Sequence, residues 1–68
     1  MNTKGKFYLK LNIASASPYF WNRDIQNFTT DAQSATFFDT RKDADDERRH
    51  AEVNTECEVQ VLQATKDI

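Results

Sequence analysis

A chain of 68 residues with one cysteine (Cys57), one histidine (His50) and one glycine (Gly5) excludes a disulfide framework, a tetrahedral zinc site and a glycine-rich phosphate loop. A formal charge of −2 and a pI near 5.2 argue against general affinity for nucleic acid backbones or anionic membranes. No apolar run approaches the ~18 residues that a bilayer span needs, and the length allows one small domain, 1–68, with ends at 1–5 and 64–68 expected to fray.

Phe7, Leu9, Leu11 and Ile13 alternate with Tyr8, Lys10 and Asn12. A period of two predicts a half-buried first strand over 7–13. The run Ala14-Ser15-Ala16-Ser17-Pro18 ends it, since proline removes a backbone donor. Tyr19-Phe20-Trp21 resumes strand chemistry, Asn22-Arg23-Asp24 reads as a turn, and Ile25 to Phe28 extends or returns the second strand. Thr29 to Ser34 reads as an irregular or single-turn connection into a third strand, Ala35–Asp39.

Thr40 followed three residues later by Asp43 is a capping-box-like pair and places a helix start at Arg41. Early acids (Asp43, Asp45, Asp46) and later bases (Arg48, Arg49, His50) suit the helix dipole. Asp45 with Arg49 and Asp46 with His50 are spaced for ion pairs, acid first. Ala44 and Ala51, joined by Val53, form a narrow apolar stripe that lets the helix lie close on a sheet. Asn54 and Thr55 stop the helix, and Cys57, Val59 and Val61 alternate with Glu58 and Gln60 in a last strand reaching Gln63. The elements read β-β-β-α-β. This is an α+β domain with one helix over one face of a mostly antiparallel sheet, and its expected strand order is 3-2-1-4.

Chemistry is sparse. The acidic run Asp43-Ala44-Asp45-Asp46-Glu47 lacks the glycine and ligand spacing of a calcium loop, so it reads as a solvated helix face. Asp46 with His50 makes at most a weak two-ligand metal pair. His50 has no nucleophile at recognisable spacing, and Cys57, inside an alternating strand, is expected to be buried and inert. The expectation is a protein that is not an enzyme, with no cofactor and no metal. A lone cysteine and an N-terminus leading into a strand, not an apolar signal segment, point to a reducing cytoplasm.

The aromatics carry the functional question. Tyr8 is out of phase with Phe7 and Leu9, and neither Tyr19-Phe20-Trp21 nor Phe37-Phe38 can point all its rings inward from one strand. One helix covers one face only, so some rings must be exposed or covered by another chain. Tyr8, Tyr19, Trp21 and Arg23 are the candidate binding residues of an uncovered face, because Tyr, Trp and Arg are common interface anchors. A stacking platform for single-stranded RNA or DNA is the rival, with Lys10, Arg23, Arg41 or Lys42 near the phosphates. A small second core beneath the Ser/Ala/Pro loop is the third reading.

The aromatic pair before Trp21, then Phe28-Thr29-Thr30-Asp31, Ala35, Phe37 or Phe38, Thr40 and Ala44 together resemble the pattern of short phage and prophage reading frames. In those chains a small sheet is followed by one capped helix and a final strand. This chain departs from them on the helix, where larger apolar residues are replaced by Glu47, Arg48 and Ala51. The resemblance implies an accessory role, binding and modulating or inhibiting a host protein in the host cytoplasm.

Pro18 and Lys10 lie in the first half, whereas the stretch Cys57 to Gln63 contains neither lysine nor proline. An unpaired edge there invites a second copy, so a homodimer is expected.

Overall fold

The computed structural model describes residues 3–14 and 17–67. Strands β1 (Phe7–Leu11), β2 (Phe20–Asn22), β3 (Asn27–Thr29) and β4 (Val59–Gln63) form one sheet, and helix α1 (Arg41–Thr55) packs against it. The strand order is β3-β2-β1-β4, with every neighbouring pair antiparallel. The α+β class, the β-β-β-α-β succession and the order 3-2-1-4 all hold.

The third strand is a different segment from the expected Ala35–Asp39. Asn22 accepts hydrogen bonds from the amides of Asp24 and Ile25 through Oδ1, and Gln26 takes a left-handed φ of 53°. These features close a tight turn, and Asn27–Thr29 returns as β3 with Trp21 opposite Phe28. The segment around 36–38 is instead caught in a fork between β1 and β2. The Thr36 amide donates to the carbonyl of Trp21 (3.0 Å), and Phe38 exchanges two hydrogen bonds with Phe7 (2.7 and 2.9 Å). A single bridge, Phe7 to Phe38, is all the ladder it makes. Before it, Ala32–Ser34 makes the expected single turn, capped by Asp31.

β1 stops at Leu11, although the Asn12 amide still reaches the carbonyl of Glu58. Ile13 is exposed, and residues 15 and 16 of the expected chain break lie outside the described residues. β4 begins two residues later than expected. Cys57 therefore lies outside the strand and is exposed, not buried, because the left-handed Glu56 (φ 57°) turns the chain before pairing resumes. At the described residues of the two ends, the Gly5 amide donates to the carbonyl of Ala64, and the Lys4 amide to the carboxylate of Asp67.

The helix starts where the cap requires. Thr40 Oγ1 accepts from the Asp43 amide at 3.1 Å. Ala44 and Ala51 are fully buried, and the two small side chains bring the helix down onto Leu9, Trp21, Phe38 and Val59. Val53 is 77% exposed and belongs to the solvent face, not to the apolar stripe, because two positions beyond Ala51 carry it about 200° round the helix, away from the buried side. No helix among the described residues is long and apolar enough to cross a membrane.

Candidate functional site: the uncovered face of the sheet

Strand alternation sorts the side chains between two faces. Phe7, Leu9, Leu11, Trp21, Phe28, Val59 and Val61 lie on the helix side with Phe38. Among the described residues, the other face has no element above it. There Tyr8 stands opposite Leu62, Lys10 lies between Phe20 and Gln60, Phe20 faces Thr29, and Asn22 faces Asn27. Phe37, one residue out of phase with buried Phe38, joins this face from the forked segment. The Tyr8 ring lies 5.7 Å from that of Phe20 and 5.8 Å from that of Phe37, tilted by 59° and 57°. Tyr8, Phe20, Phe37 and Leu62 are all half-buried.

This arrangement corrects the predicted site. Of Tyr8, Tyr19, Trp21 and Arg23, only Tyr8 lies on the uncovered face. Trp21 is completely buried beneath the helix, with Phe28 edge-on at 5.1 Å, so no partner can reach it in the folded chain. Tyr19 sits at the end of the sheet beside Leu11, Ile13 and Pro18, and its carbonyl accepts from the Leu11 amide. Arg23 belongs to the helix side. Its guanidinium lies 5.9 Å from the centre of the Phe38 ring, at a depression of about 380 Å³ that Asp43, Asp46 and Glu47 also line.

The missed residues are Phe20, Phe37 and Leu62. In each aromatic doublet one ring had to face each way, and the doublets alone do not say which. The register does: Lys10 pairs with Phe20, so Phe20 shares the face of Tyr8 and Trp21 does not.

The helix offers a self-contained charge network, not a reactive centre. Arg48 bridges Asp45 (2.8 Å) and Glu52 (2.7 Å), while the Asp45–Arg49 pair is long at 3.9 Å. The hydrogen bond from Arg48 holds the Asp45 carboxyl below the ordinary carboxylate range and raises the Arg48 guanidinium in turn. His50 does not pair with Asp46 as its spacing predicts. Its Nε2 lies 2.7 Å from Gln26 Oε1, and the Gln26 amide is itself oriented by donating to the carbonyl of Arg23. His50 Nε2 thus contacts the β2–β3 turn and also lies 3.3 Å from the side-chain nitrogen of Asn54. Among the described residues, no three His, Cys, Asp or Glu side chains cluster as a metal site.

No family model matches this chain, and comparisons with curated proteins and with solved structures give no match.

Proposed function

We propose that this chain is a non-enzymatic protein-binding module whose contact surface is the uncovered sheet face. One observation carries the reading. Tyr8, Phe20, Phe37 and Leu62 stand half-buried on a face over which no element lies among the described residues, where an antiparallel sheet exposed to water would present polar side chains. Lys10 is the only charged residue among the strand positions of that face. A complementary partner is therefore apolar at its centre, with a carboxylate placed to meet Lys10. The resemblance to phage accessory chains supports a host-cell protein as that partner. A second copy of the chain belongs to the same class, since the face ends at an unpaired strand edge.

Single-stranded nucleic acid fits less well. A stacking platform needs open ring faces and a track of cations for the backbone. Here the rings of Phe20 and Phe37 both lean on that of Tyr8, and one lysine accompanies them.

The test is photocrosslinking in a lysate of the source cell. A benzophenone side chain at Phe20 is expected to capture a defined protein, and the same probe at Val53, on the outer helix face, to capture none. Equal labelling from both positions would end the reading. An anisotropy titration with mixed oligonucleotides at low salt addresses the rival, and salt-sensitive binding there would replace the protein partner with nucleic acid.

A further inference from the structure

We propose that β4 pairs antiparallel, edge to edge, with β4 of a second copy, with Val61 opposite Gln63 and the two Leu62 residues meeting at the dyad. β4 is an outer strand whose inner side is taken by β1. The Ala64 amide donates to the carbonyl of Lys6, and the carbonyl of Glu58 accepts from the Asn12 amide. Even-numbered residues of β4 therefore turn their backbone groups inward, and Val59, Val61 and Gln63 turn theirs outward.

The outward groups are not all open. The Val59 amide already donates to Glu52 Oε2 at 2.9 Å, and the other oxygen of that carboxylate is held by Arg48. Glu52 thus blocks the start of the edge, and the intact donor–acceptor sets that remain are those of Val61 and Gln63. Two such sets, two residues apart, are self-complementary about an antiparallel dyad at Leu62 and give four hydrogen bonds. Sliding the register to centre on Val61 would set Gln63 of one copy against the occupied Val59 of the other. The blocked amide therefore selects the register.

The side chains agree with it. At the dyad the two Leu62 side chains form a non-hydrogen-bonded pair, the close kind. Leu62 stands beside Tyr8, so pairing runs the apolar band of one uncovered face into that of the other. On the helix side, the groove beside this edge, about 460 Å³, is walled by Arg41, Arg48, Asp45, Glu52 and Glu58, so that two guanidinium groups offset two of its three carboxylates. No lysine or proline interrupts the edge from Cys57 to Gln63. The contact is small and places the dimer in the weak class, with dissociation in the micromolar range. It occupies the edge and leaves the face open, so it stands or falls apart from the partner reading.

Amide exchange followed by NMR, with sedimentation on the same samples from about 10 μM to about 1 mM, tests it. Protection of the Val61 and Gln63 amides is expected to rise with concentration as the 7.9 kDa species doubles in mass, while Val59 stays unchanged. Gln63→Pro removes an outward donor, and Leu62→Glu sets like charges across the dyad. Each is expected to weaken association at least tenfold. Either variant is read only where circular dichroism matches the parent chain, and the parent's exchange pattern decides the question even if both unfold. A single 7.9 kDa species throughout, with Val61 and Gln63 unprotected, would overturn the proposal. Association that protects the outward Phe28 amide of the β3 edge instead, with Val61 and Gln63 unchanged, would overturn it too.

Discussion

The indole Nε1–H of Trp21 donates a 2.9 Å hydrogen bond to Oε2 of Glu47. One side chain is the largest fully buried group in the molecule, and the other sits in the middle of a charged helix. The bond satisfies the indole's only donor and fixes the rotation of the helix over β2. It also accounts for Glu47, which stands where a larger apolar residue would pack: the carboxylate serves the buried ring.

Trp21→Ala is expected to cost about 3–5 kcal/mol, which leaves so small a domain largely unfolded at room temperature. Trp21→Phe keeps a ring but strands the Glu47 carboxylate, at about 1–3 kcal/mol. Tyr8→Ala loses two tilted ring contacts at a half-buried site, worth about 0.5–1.5 kcal/mol each. Urea unfolding followed by circular dichroism gives the order. A Tyr8→Ala variant less stable than Trp21→Ala would contradict the assignment of the two faces.

Thr40→Ala removes the hydroxyl that accepts from the Asp43 amide and is expected to cost about 1 kcal/mol. Thr40→Ser keeps the oxygen and is expected to recover most of that loss. Equal thermal midpoints for the two variants would show that the hydroxyl does not cap the helix.

Gly5 has a φ of +86°, in the turn where the Lys6 amide donates to the carbonyl of Thr3. A methyl group there would meet nothing within 4 Å, so Gly5→Ala tests backbone strain without a clash. The expected cost is about 1 kcal/mol or slightly more. An unchanged unfolding midpoint would mean that the turn relaxes.

Asp45 titrates below the ordinary aspartate range because Arg48 hydrogen-bonds its charged form. A folded-state value below the unfolded one means that its contribution to stability is complete above the ordinary aspartate value of about 3.9. That contribution is lost as pH falls through the lowered value. Asp45→Asn is expected to flatten the acid limb of the stability curve below about pH 4 and to change little at neutral pH beyond the lost ion pair. Carboxyl NMR titration of the parent chain gives the direction directly, and an Asp45 value above the ordinary range would refute the pairing.

Features written locally in the chain are present in the fold. Phe7 to Leu11 alternate, and the strand is there. Thr40 and Asp43 mark a cap, and the helix begins at Arg41. Ala44 and Ala51 are seven apart, two helical turns, and both are buried. Ala35–Asp39 failed as a strand because extended conformation alone does not make a ladder. Asn27–Thr29, three residues long, gained its ladder from a turn that needed Gln26 in a left-handed conformation, for which no glycine signalled.

Local sequence thus determined the class of the fold, the helix and its cap, and the presence of more aromatic surface than one helix covers. Only the tertiary structure decided which rings form the candidate site. An alternating doublet such as Phe20-Trp21 or Phe37-Phe38 assigns its two rings to opposite faces without labelling either face. The label comes from pairing with distant residues, Lys10 against Phe20 and Phe7 against Phe38, and a shift of one residue in that register would exchange every ring between core and surface.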